Sequence, residues 1–91
     1  MKIEIKDIGN FEIKDITYAQ ARELHRDNAK VFWDGGDDAS KVNADDYYAL
    51  LEKTRELTGL SDKELKKYSM VQVDQILQQC LMEYTGLNPK D

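Results

Sequence analysis

The chain holds one cysteine and one histidine among its 91 residues. A single thiol closes no internal disulfide, and with a single imidazole it leaves a Cys/His zinc site short of ligands. Long apolar runs are also missing. The longest is Tyr47–Leu51, far below the roughly 20 residues that cross a bilayer as a helix, so no membrane partner is expected. The opening Met1-Lys-Ile-Glu-Ile-Lys-Asp7 alternates charge with isoleucine. No apolar signal-peptide core is expected there, and the predicted location is the cytoplasm. A basic surplus is absent too: 13 Lys and Arg stand against 18 Asp and Glu, for a net charge of −5. That argues against electrostatic binding of nucleic acid. What is present, 41% hydrophobic and 34% charged residues, suits one small domain over 1–91. A chain of this size buries about 60–65% of its extended surface, enough for one modest core.

The acidity is local. Residues 1–33 carry six basic and six acidic side chains, and residues 47–91 carry six and seven. Between them, Asp34-Gly-Gly-Asp-Asp-Ala-Ser-Lys-Val-Asn-Ala-Asp-Asp46 holds five Asp and one Lys. With two glycines and no amphipathic period, 34–46 reads as the main loop.

Around it the pattern predicts an α+β fold. Ile3 and Ile5 alternate with Lys2, Glu4 and Lys6, and Phe11 and Ile13 alternate with Glu12 and Lys14. Asp7-Ile-Gly-Asn10 between them supplies turn chemistry, with Gly9 and Asn10 tolerating positive φ. This predicts a hairpin over about 2–15, apolar on one face and covered there by helices. Thr17 and Gln20 form a capping box that opens a helix over about 18–33, with Tyr18, Ala21, Leu24, His25, Asn28 and Phe32 on its inner face. Asn43 is the expected cap of a second helix, about 44–58, whose buried stripe is Tyr47, Leu50, Leu51, Thr54 and Leu57. Gly59 suits a left-handed helix end. Ser61 with Glu64 opens a short helix over about 62–67, and Ser69 with Gln72 opens the last, about 70–84, which Gly86 stops. The architecture expected is therefore a hairpin packed on three longer helices and one short one.

The last helix carries little charge, only Asp74 and Glu83. Met70, Val73, Ile76, Leu77, Cys80, Leu81 and Tyr84 make one wide apolar face. A second strip, Val71, Gln75, Gln78 and Met82, runs at helical spacing where a solvated face would carry Lys or Glu. Two readings stand: a helix covered on both sides by its own domain, or a surface that meets another protein. A second candidate is the edge of the acidic loop, where Trp33 and Tyr48 fall off the core faces beside Asp34, Asp37 and Asp38. Either the rings pack beneath the loop, or they form a binding edge for a basic peptide or protein patch.

Catalytic and metal-binding constellations are not expected. Cys80 and His25 both fall on inner faces, where a cysteine behaves as a small hydrophobe and a histidine as hydrogen-bonded structure. An EF-hand frame begun at Asp34 places Gly36 at the third ligand position, Ala39 where glycine is required and Asp45 where glutamate closes the loop. The Gly35-Gly36 pair lies among Asp residues that would repel a phosphate. Lys63, Lys66 and Lys67 are interleaved with Asp62 and Glu64 and form no basic stripe. No cofactor is expected.

One layout does match a known pattern. The opening Ile5-Lys-Asp-Ile-Gly-Asn-Phe-Glu-Ile-Lys-Asp-Ile-Thr-Tyr18, then Arg22-Glu-Leu-His25, Phe32-Trp-Asp-Gly35, Tyr47-Tyr-Ala-Leu-Leu-Glu52 and the stretch from Leu57-Thr-Gly-Leu60 to Ser69 together resemble small proteins of tailed bacteriophages, in particular the tail assembly chaperones. The resemblance implies a non-enzymatic role in the host cytoplasm, binding the tape-measure protein and recruiting tail subunits. It assigns no role to any residue. Self-association is among the expected contacts. The alternative is a small bacterial adaptor or regulatory domain that takes a basic partner on the acidic loop.

Overall fold

The computed structural model describes residues 1–32 and 44–86. Two strands, β1 (Lys2–Ile5) and β2 (Gly9–Glu12), precede four helices: α1 (Tyr18–Phe32), α2 (Ala44–Thr58), α3 (Asp62–Leu65) and α4 (Met70–Thr85). The fold is α+β, a two-stranded antiparallel hairpin laid against helices. α4 occupies the middle, packing against α1, α2 and β1.

The hairpin is shorter than its alternation predicts. Ile3 pairs with Phe11 and Ile5 with Gly9, so the turn falls on Lys6–Ile8. The positive φ angles belong to Asp7 (68°) and Gly9 (143°). Asn10 is paired with Glu4 inside the ladder. Aspartate ranks with asparagine in tolerating the left-handed region, which lets the turn close one residue early. Ile13 lies beyond β2 but still donates its N–H to the Met1 carbonyl at 2.8 Å and is almost wholly buried.

The caps form as their spacing predicts. Thr17 Oγ1 accepts from the Gln20 N–H at 3.1 Å while Gln20 Oε1 accepts from the Thr17 N–H at 2.8 Å. Ser61 with Glu64 and Ser69 with Gln72 repeat the reciprocal arrangement at the starts of α3 and α4. Each box satisfies two N–H groups that a helix start would leave without partners. Gly86 ends α4 in the left-handed conformation, φ 73°, and Gly59 follows α2 at φ 78°. α3 is two residues shorter than its sequence pattern predicts, stopping at Leu65.

The core joins Ile3 and Ile13 from the hairpin region, Leu24 and Val31 from α1, Leu50 from α2, and Ile76, Cys80, Leu81 and Tyr84 from α4. Leu60 and Leu65 close it from the segment between α2 and α4. Two polar side chains are buried with them and satisfied locally. Thr54 Oγ1 donates to the Leu50 carbonyl at 2.8 Å; Thr58 Oγ1 donates to the Arg55 carbonyl at 2.6 Å and accepts from the Leu60 N–H. A hydroxyl bonded back to its own helix enters a core without an orphaned donor.

Two residues assigned to inner faces lie outside. Tyr18 is 78% exposed and Met70 likewise 78%. Each is the first residue of its helix. Helical phase gives the direction of such a side chain, but a core also needs a neighbouring element at that height. Tyr18 instead packs its ring beneath the Arg22 guanidinium, 6.0 Å from the centroid.

Candidate functional site

The uncharged strip of α4 is graded along the helix. Val71 is 68% exposed and Gln75 is also exposed, whereas Gln78 and Met82 are half-buried. Gln78 is held in place: its amide Nε2 donates to the hydroxyl of Tyr47 on α2. Tyr47 in turn packs its ring against Tyr48, with centroids 5.5 Å apart and planes at 53°. Gln78 and Tyr48, one from each sequence-derived candidate surface, therefore both contact Tyr47. Tyr48 itself is 54% exposed. Trp33, Asp34, Asp37 and Asp38 lie outside the described residues, as do the proposed Asn43 cap and the EF-hand frame before residue 44; Asp45, its last position, lies in the first turn of α2.

The strip also borders a groove. Gln75, Gln78 and Met82 line one wall with Gln79 and Glu83. The other wall is β1, together with Lys6 and Ile8 of the turn. The groove encloses about 880 Å³. Its charges balance, Lys2 and Lys6 against Glu4 and Glu83, and its uncharged lining includes Ile3, Ile5, Gln78 and Met82. Such a surface has amide groups to hydrogen-bond and thioether and isoleucine surface to pack, without a field that selects one sign of ligand.

The strand wall was not legible in the sequence as part of a site. Alternation of Lys and Ile in residues 2–6 identifies a strand with an inner face, yet says nothing about which edge is paired. That depends on where β2 and α4 lie, and only the fold supplies it.

Cys80 is fully buried, and burial pushes its thiol up to about 12 from the ordinary 9.0, with Glu83 adding to the shift. It stays protonated at neutral pH and offers no thiolate nucleophile. His25 is half-buried on α1. Among the described residues no three His, Cys, Asp or Glu side chains converge as a metal site, and no helix is long and apolar enough to cross a membrane.

No protein-family model matches the chain, and neither a curated protein nor a solved structure shows significant similarity to it.

Proposed function

We propose that this chain is a non-enzymatic protein-binding module and that the groove between β1 and α4 is its binding surface. The observation that carries the reading is one juxtaposition. Three members of an uncharged helical strip, in a chain that is 34% charged, line the same groove as a β-strand. In keeping with the resemblance to tail assembly chaperones, the setting is assembly of a phage tail in the host cytoplasm, with a tail or tape-measure protein as partner.

The test is capture from phage-infected bacteria, with the wild-type chain and its Met82→Glu variant as baits. Both baits are first matched for helical content by circular dichroism. A tail or tape-measure protein should be enriched on the wild type and depleted about tenfold on the variant, as expected when a charge enters a packed interface. Equal recovery on both baits rejects the groove. A groove-dependent partner that is no tail component rejects the assembly role.

A further inference from the structure

β1 has two backbone edges, and β2 uses one. The exchange between Met1 and Ile13 fixes the phase of the ladder: the Ile13 N–H donates to the Met1 carbonyl at 2.8 Å, and the Met1 amino group donates to the Ile13 carbonyl at 2.7 Å. Hydrogen-bonded pairs recur at every second residue of an antiparallel ladder. Ile3 with Phe11 and Ile5 with Gly9 are therefore the pairs that face β2. Lys2 and Glu4 turn their N–H and C=O groups the opposite way. Among the described residues no strand pairs on that side and no backbone hydrogen bond reaches it. The groove opens along this strand, with Gln78 and Met82 across from it. A row of unpaired backbone groups is a template for an added strand.

We propose that the strand completing this edge is β1 of a second copy, running antiparallel, with Ile3 opposite Ile3 at the two-fold axis. The proposal rests on the groove being a protein-binding site and names its occupant in the free protein, the one that a tail or tape-measure partner displaces. The alternation of Lys and Glu along β1 complements a second copy of itself and selects the register. The phase of the ladder admits only registers that set even-numbered residues opposite even-numbered ones; any other turns the isoleucines outward. With the axis at Ile3, Lys2 meets Glu4 of the second copy and Glu4 meets its Lys2. Both pairs join opposite charges on the exposed face, and both lie within the four residues of β1. With the axis at Glu4, Glu4 meets Glu4 and Lys2 meets Lys6, so every outward pair repels. With the axis at Ile5, the pairing depends on Lys6, which is already in the turn, and sets Ile3 against Asp7.

The selected register is self-complementary, as a two-fold interface requires. It produces a four-stranded sheet in the order β2-β1-β1-β2, with Ile3 and Ile5 of both copies on the inner face. Gln78 and Met82 place no charge beneath the incoming strand.

Sedimentation of the full chain from micromolar to millimolar concentration tests this, with circular dichroism as the check on folding. The wild type should dimerise. Lys2→Glu and Glu4→Lys should each raise the dissociation constant about tenfold, because two attractive pairs become repulsive. The double variant reverses both pairs and should return to within about threefold of the wild type. Glu4→Pro removes only an N–H that faces the open edge, so it should leave a folded monomer. A wild type that stays monomeric overturns the proposal. So does a double variant as weak as the singles, or a dimer untouched by Glu4→Pro. If that last dimer is broken by Met82→Glu, the groove stands as a binding site and strand pairing alone is lost; a dimer indifferent to every variant counts against both.

Discussion

The hydroxyl of Tyr84 donates to the backbone carbonyl of Lys14 at 2.5 Å, joining the last turns of α4 to the chain just after the hairpin, 70 residues earlier. Lys14 is held from a second side as well, since its N–H donates to the Thr58 carbonyl at 3.0 Å. The hairpin is thereby fastened to the ends of two helices by backbone groups, independent of which side chain stands at 14. Tyr84→Phe removes the hydroxyl and leaves the buried ring. It should lower unfolding free energy by about 1 kcal/mol, measured by urea denaturation, with little change in the urea dependence. A loss below a few tenths would show that the bond is replaced without cost.

Alkaline pH should weaken the fold. Burial pushes Tyr84 up to about 12 from 10.0, with Cys80 and Asp15 adding to the shift, and Cys80 is also raised to about 12. In each case the unfolded chain gives up its proton first. The stabilisation is thus whole below about pH 9 and is lost progressively as pH rises toward 12, amounting to roughly a few kcal/mol. Lys53 acts in the same direction. Its ammonium bridges Asp27 at 2.9 Å and Glu23 at 2.5 Å, and hydrogen bonds to Asp27 and then Glu23 raise its pKa above 10.5. That pairing is present below 10.5 and disappears as pH climbs through the raised value. Thermal melts from pH 7 to 11 should show a falling Tm above pH 9, and Cys80→Ala should flatten that fall. A profile level to pH 11 would contradict the assignment.

The capping boxes set the starts of three helices. Ser69→Ala leaves the Gln72 N–H without its acceptor and should cost about 1 kcal/mol. Ser69→Asp should keep most of that stability, because aspartate caps as serine does. Denaturation of the three proteins side by side checks both outcomes.

Position along α4 should divide stability from binding. Val71→Glu, at a site 68% exposed, should change stability by no more than about 0.5 kcal/mol. Ile76→Ala, at a fully buried site, should cost about 2–5 kcal/mol through lost contact and a cavity. A large loss at Val71 would place the strip inside the core.

These contrasts also mark what the sequence makes legible. Caps are short-range devices, and Thr17, Ser61 and Ser69 declare them because the partner of each lies three residues on. The buried stripe of α4 follows from its period, and Ile76, Leu77, Cys80 and Leu81 are inside. Tyr18 and Met70 obey the same period and are outside, since a helical phase carries no information about where the neighbouring elements end. The hairpin turn shifted for a related reason. Asp7 and Asn10 compete for the positive-φ place beside Gly9, and the register that pairs Ile3 with Phe11 puts Asn10 in the ladder and leaves the place to Asp7. The strip from Val71 to Met82 was visible as missing charge. The groove it borders was not, because its second wall comes from the opposite end of the chain.

The burial of Cys80 has a practical consequence for measuring motion. A thiol reagent added to the native protein can reach its one thiol only while the middle of α4 is uncovered. Labelling followed by mass spectrometry therefore counts those openings, one mass increment per molecule. If α4 separates only when the whole domain opens, the labelling rate should rise as global stability falls across the variants described above. If α4 lifts by itself, the rate will stay high in variants that stabilise the rest, and the wild-type chain will record that without an engineered probe.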